Sequence, residues 1–438
     1  METIKAIYDF ITGFGPSVMM PIIVTLLALI LGAKFGRALR AGITVGIGFI
    51  GINLVIGLMF QYLGPAAEGM VQNWGVTLNA IDVGWPAAAA IAFGTRIGSV
   101  IFIVGLLVNI IMLATRLTKT VDIDLWNYWH WAFSGSLVYV VSGSFLLGIL
   151  AAVIHSVVSL LIADRTAHTI QKYFNWPDIS IPQGFASVSM ILVWPIIKFF
   201  DLIGFQKEKP EAEEAPIPAT GNVSAIQERF SILGEPVLVG LVLGLIIGVL
   251  AYAPASELTT TEVLTKILQL AMSTAAVMLL MPRVVGILME GLIPLSEQAR
   301  EFLQNRFAGR EFYIGMDSAI LIGEPTTLTV GFLLVPITLL LAVILPGNRL
   351  LPFADLAATP FFICMLTPYV RGNFWRTLVG GTIIMAILMY MGSIWTPVIT
   401  STAQSIGFAF PEGAAQITGF ANPLAWIMTM ITKLLTGN

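Results

Sequence analysis

The chain has 438 residues, 57% hydrophobic and 11% charged, with a mean hydropathy of +0.89 and a formal net charge of −3. A soluble domain carries roughly a quarter charged residues, so this composition defines a polytopic helical membrane protein. No basic cluster is long enough to follow a phosphate backbone, which excludes nucleic acid as a partner. The one cysteine, Cys364, lies in an apolar run, leaving no disulfide and no paired-cysteine metal site.

Near the N-terminus, Glu2 and Asp9 accompany Lys5, unlike the basic start of a cleaved signal peptide. Gly15–Leu31 reads as a first span, closed by Lys34, Arg37 and Arg40, and Ala41–Leu63 as a glycine-rich second one. Gly64–Trp85 has acids but no Lys or Arg, so the positive-inside bias puts the N-terminus outside. Pro86 opens PAAAAIAFGTR, roughly ten residues where a crossing needs about twenty. It is expected to form a half-helix dipping into the membrane, and Ile97–Ala114 crosses back to Arg116 and Lys119.

Leu125–Ala163 has no acid or base except His130 and His155, and is too long for one span. The SGS triplets at 134–136 and 142–144 are expected break points, giving a half-helix that carries WNYWHW and then a full span. Asp164–Asp178 is expected on the outer face, with Ile181–Phe205 returning inward. Gln206–Phe230 mixes charge with proline and reads as a flexible cytoplasmic linker. Beyond it come Glu235–Ala253, Val263–Ile293 with a kink at Pro282, the stretch Glu311–Pro336, a span at Thr326–Pro346, a half-helix at Leu356–Tyr369, a span at Asn373–Ile394, and a short terminal amphipathic or interfacial piece at Asn422–Leu435.

GLMFQYLGPAAE and GILMEGLIPLSE share Gly57/Gly286, Leu63/Leu292, Pro65/Pro294 and Glu68/Glu297, and the charges flanking these segments are inverted between the halves. The expected architecture is therefore all-α, with about 10–11 transmembrane helices in two inverted repeats with re-entrant hairpins. Residues 1–205 form the first repeat, 206–230 the linker and 231–438 the second, with core and scaffold interleaved. Glu311–Pro336 becomes the mate of Asp82–Arg96.

Acids at membrane depth face a protein interior or a water-filled cavity. The candidate solute-binding residues are Asp82 and Trp85 in DVGWP, Asn127 and His130 in WNYWH, Gln183 in IPQG, and Asp317 and Glu324 in GMDSAILIGEP. His130 and Glu324 are the candidates for activating a hydroxyl. No spacing fits a metal site or a phosphate loop, and no cofactor is expected. An ion-coupled transporter, in which the same acids carry protons or sodium, is the alternative reading of these residues.

GPSVMMPIIVTLLALILG, AGITVGIGFIGINLVIGLM, DVGWP, DIDLWNYWH, AVMLLMPRVVGILMEGL, LPGNRLLPFADLA and RGNFWRTLVGG resemble the galactitol-type IIC component of the bacterial phosphoenolpyruvate-dependent sugar phosphotransferase system. The resemblance spans nearly the whole chain. It implies a homodimeric inner-membrane permease for a polyol or sugar in the ascorbate–galactitol superfamily, with an elevator-like movement of its core. It also implies a IIB partner that carries the phosphocysteine, a IIA partner and, indirectly, the general phosphocarriers. Gln183 and Glu324 stand where the galactitol pattern has histidine, so the resemblance leaves the solute open to another polyol or a pentose-like sugar.

Overall fold

The computed structural model describes residues 16–74, 80–122, 124–205, 236–254, 259–306, 312–322, 324–352, 354–408, 416–418 and 422–437. The linker 206–230 and Glu235 lie outside these residues. In the first half, α1 (Pro16–Ile30) and α2 (Phe35–Trp74) lead into strand β1 (Ala80–Asp82) and the short helix α3 (Gly84–Gly94). Then follow α4 (Ile101–Ala114), β2 (Thr120–Asp122), a 3-10 turn at Leu125–Tyr128, α5 (Trp129–Ser142), α6 (Phe145–Phe174), β3 (Ile179–Ser180) and α7 (Ala186–Leu202).

The second half repeats this order. It runs α8 (Pro236–Tyr252), α9 (Thr260–Arg306), β4 (Tyr313–Gly315), α10 (Ala319–Ile322), α11 (Pro325–Ile344) and β5 (Leu350–Leu351). A 3-10 turn at Ala354–Ala358, α12 (Thr359–Ile363), α13 (Leu366–Tyr369), α14 (Phe374–Ser405), β6 (Gln416–Thr418) and α15 (Pro423–Thr436) complete it.

Among the described residues four helical segments are long and apolar enough to cross a membrane: Phe35–Ile52, Phe145–Phe174, Thr260–Leu280 and Phe374–Ser405. A fifth arises if Gly84–Gly94 and Gly98–Ala114, bent by 78° at their junction, count as one span. The other apolar helices are shorter. The expected break at Ser142–Ser144 is present, with Gly143 left-handed at φ 66°, whereas Ser134–Ser136 stays helical inside α5. Both long second helices continue through segments expected to be loops, α2 as far as Trp74 and α9 as far as Arg306.

Two small sheets correct the all-helical expectation. β1 pairs in parallel with β5 and β6, and β4 pairs in parallel with β2 and β3. The sequence pattern missed them because strands of two or three residues carry no readable alternation. Their physical reason is the backbone itself: non-helical segments buried away from water must have their N–H and C=O groups paired. Each sheet draws its central strand from one half and its two flanking strands from the opposite half, so neither half satisfies its own breaks.

The second sheet also corrects the placement of Asp164–Asp178. Asp164 accepts hydrogen bonds from the Lys119 backbone N–H at 2.9 Å and from the Thr120 hydroxyl at 2.7 Å, so this segment lies at the same end of the molecule as Arg116 and Lys119. Asp164 and Arg165 belong to α6, which extends to Phe174. Arg165 and Lys172 thereby join Arg116 and Lys119 at that end, as the positive-inside pattern favours.

α1 packs on α2, α2 on α9, and α8 on α9, while the shorter helices surround the sheet tips. The α2–α9 crossing depends on a glycine: a Cβ at Gly48 would lie 2.8 Å from the Leu288 Cα. Gly48→Ala is expected to lower stability by about 1–3 kcal/mol through overpacking, read as reduced thermal stability in detergent.

Candidate functional site

The broken segments converge on one cavity of about 220 Å³. Its walls are aromatic, from Trp85, Trp126, Trp129, Phe133, Phe185, Phe361 and Phe362, and its polar groups come from Asn127, His130, Gln183, Asp317, Asp355 and Asn422. Drug-sized ligands occupy roughly 300–1,000 Å³, so this volume suits a smaller solute of monosaccharide size.

Asp82 is fully buried, and its carboxylate is turned away from the cavity lining toward backbone donors. Its Oδ1 accepts from the Gly84 N–H at 2.9 Å and its Oδ2 from the Asp355 N–H at 2.8 Å. Asp355 Oδ1 in turn accepts from the Trp85 N–H at 2.7 Å. This reciprocal clamp joins β1–α3 of one half to the 3-10 turn of the other and sets the Trp85 ring in the wall. Gly84 is required there: its φ is +77°, and a Cβ would lie 2.7 Å from that of Ala354.

A second link between halves runs through Asn127. Its Nδ2 donates to Asp124 Oδ2 at 2.9 Å and to Asp317 Oδ2 at 2.7 Å. Asp317 Oδ1 accepts from the Ala319 N–H at 2.6 Å. Nearby, Asp122 is buried with an Oδ2 that has no hydrogen-bond partner among the described residues. The cavity thus has an acceptor-rich, acidic side opposite aromatic walls. Such a surface suits hydroxyl donors and C–H faces and disfavours anions.

His130 stacks on Trp129 with ring centroids 3.7 Å apart. Its Nδ1 is 3.0 Å from the Asn127 carbonyl and its Nε2 is 3.2 Å from Gln183 Nε2. Behind it, His155 is buried and meets Ser134 at 2.6 Å and the Gly184 carbonyl at 2.7 Å. That carbonyl also accepts from Asn422 Nδ2 at 2.9 Å.

Of the seven residues proposed from the sequence, the cavity brings together Trp85, Asn127, His130, Gln183 and Asp317. Asp82 and Glu324 are not in its lining. Glu324 caps α11, with Oε2 accepting from the Thr327 N–H and Oε1 from the Tyr173 hydroxyl at 3.0 Å. A carboxylate before Pro325 at a helix start is held by the first-turn donors. Asp355 and Asn422 were missed. Asp355 repeats the Asp-Leu pair of Asp124–Leu125 in the other half, and Asn422 before Pro423 is a helix-cap signature that the reading of α15 as an interfacial piece overlooked. α15 instead enters the core, with Leu424, Ala425 and Thr429 buried.

The family described as PTS system sugar-specific permease component matches residues 9–413, and the chain belongs to this family of bacterial inner-membrane permeases. Among curated proteins, a putative permease IIC component of Escherichia coli K12 is 40% identical over 98% of this chain and 94% of its own length. The galactitol-specific EIIC component of the same strain is 38% identical over 96% of this chain and 90% of its own. Membership implies IIA and IIB partners and a sugar or sugar-alcohol solute in general terms. Cys364 is a buried free thiol.

The Asn127 bridge gives a direct test. Asn127→Asp replaces two donated hydrogen bonds with a third carboxylate facing Asp124 and Asp317, whereas Asn127→Ala removes only the donors. Like charges at such short range repel strongly. Thermal unfolding is expected to show the aspartate variant as the less stable of the two, by about 1–3 kcal/mol.

Proposed function

We propose that the chain binds a small polyol or sugar in this cavity and carries it across the inner membrane while a IIB phosphocysteine phosphorylates it. The observation that carries this reading is the lining itself: acceptor groups on Asn127, Asp317 and Asp355 face rings that can cover the C–H face of a polyhydroxylated solute. The galactitol-specific relative makes a hexitol the first solute to test.

Asp317 is the residue placed to take the proton of the attacked hydroxyl. It lines the cavity, while both ring nitrogens of His130 are occupied and Glu324 lies outside. In the transfer, the hydroxyl oxygen attacks phosphorus, the sulfur–phosphorus bond breaks, and the hydroxyl proton passes to the carboxylate. The product then carries about 1.5–2 negative charges. Asp355 repels it, as does Asp317 once it has given up that proton, which favours release after phosphorylation.

Support for inverted repeats comes from the matched order of elements and from the strand exchange, in which β1 and β4 occupy corresponding places in opposite sheets. In this reading the hairpins and sheets form the moving core, α1, α2, α8 and α9 form the scaffold and homodimer surface, and the N-terminus is outside. The core moves as an elevator and presents the cavity to each side. Asp82 holds the tip rather than touching solute, and Glu324 acts on the hairpin that carries Asp317.

Two measurements test this. In membrane vesicles, solute accumulation is expected to require phosphoenolpyruvate and the soluble carriers; accumulation that survives without them and collapses with a protonophore supports ion coupling instead. In binding assays across a polyol panel, Asp317→Asn is expected to weaken the preferred solute by roughly 10- to 100-fold, the value of a hydrogen bond to a charged group.

A further inference from the structure

Gln183 has an orientation that its surroundings determine. Its Oε1 lies 3.0 Å from the Phe185 backbone nitrogen and 2.6 Å from that of Ala186, and backbone N–H groups can only donate. The amide oxygen must therefore face the start of α7, which leaves the NH2 group against His130 Nε2 at 3.2 Å. That group can only donate as well. His130 Nε2 must consequently be the bare, accepting nitrogen, and the ring proton must sit on Nδ1, where the Asn127 carbonyl accepts it at 3.0 Å. Both contacts call for the same tautomer, so the arrangement has no internal conflict.

We infer that Gln183 is a positioning residue that locks His130 as its neutral Nδ1–H tautomer. The lock makes this imidazole a fixed wall of the cavity that neither takes nor gives a proton. It deepens the reading of the cavity as the solute site, because it leaves hydroxyl activation to Asp317. A glutamine that merely capped α7 would have no influence on the proton of His130.

The neighbouring elements reinforce the geometry. The Gly184 carbonyl is held by His155 Nε2 at 2.7 Å and Asn422 Nδ2 at 2.9 Å. A carbonyl requires a proton on His155 Nε2, so His155 Nδ1 accepts from the Ser134 hydroxyl at 2.6 Å. The two buried histidines therefore carry their protons on opposite ring nitrogens.

The chain contains only three histidines, so ring spectra are tractable. Full-length protein labelled with 15N-histidine is reconstituted in nanodiscs, and the signals are assigned with the single variants His130→Gln, His155→Gln and His168→Gln. The unmodified protein is expected to show His130 with a protonated Nδ1 and a bare Nε2. Gln183→Glu, whose carboxylate can only accept, is expected to bring a proton onto Nε2. Gln183→Met, which leaves the Asn127 carbonyl still holding the Nδ1 proton, is expected to keep Nδ1–H as the major tautomer while shifting the signal of the now unpaired Nε2, and to weaken solute binding by roughly 3- to 10-fold, the worth of one neutral hydrogen bond. A proton on Nε2 in the unmodified protein overturns the inference, and that spectrum decides even if a variant misfolds. An unchanged tautomer in Gln183→Glu overturns it too. If the tautomer is as expected but no polyol binds, the solute reading fails and the lock stands.

Discussion

Backbone that leaves the helix inside a membrane must find hydrogen-bond partners within the protein, and this chain finds them across its two halves. β1 is completed by β5 and β6, and β4 by β2 and β3. The side chains follow the same rule: Asp82 receives the Asp355 N–H, Asp355 receives the Trp85 N–H, and Asn127 reaches Asp317. The cavity lies where these links meet. Its walls are consequently fixed by contacts that neither half can make alone.

This constraint separates residues that hold the cavity from residues that face it. Asp82, Gly84 and His155 are buried supports, whereas Trp85, Asn127, Asp317 and Asp355 line the cavity. Several residues do both. Asn127 lines the cavity with the same amide that bridges two carboxylates, so any ligand bonding to it competes with a structural link.

Much of this was legible in the sequence because costly features in hydrocarbon are conspicuous. Acids at membrane depth, an apolar helix too short to cross, and the aromatic run around His130 all marked the cavity. What was not legible depends on pairing over long separations. Strands of two or three residues have no periodicity, and nothing local to Asp164 shows that it meets Lys119 and Thr120. Glu324 shows the opposite limitation: an acid beside glycine and proline looks like a ligand-facing residue and equally like a helix cap. Only its partners, Thr327 and Tyr173, separate the two. Asp355 was hidden because a lone acid in LPFADLAATP shows its role only when set against Asp82.

On the proposed function, a solute occupies the cavity between the two cross-linked tips. A cryo-electron-microscopy map of the protein in nanodiscs with its preferred polyol tests this directly. The account predicts solute density among Trp85, Asn127, Gln183, Asp317 and Asp355, with a hydroxyl within hydrogen-bond reach of the Asp317 carboxylate. Density beside Glu324 and Tyr173, with the cavity filled only by water, would contradict it.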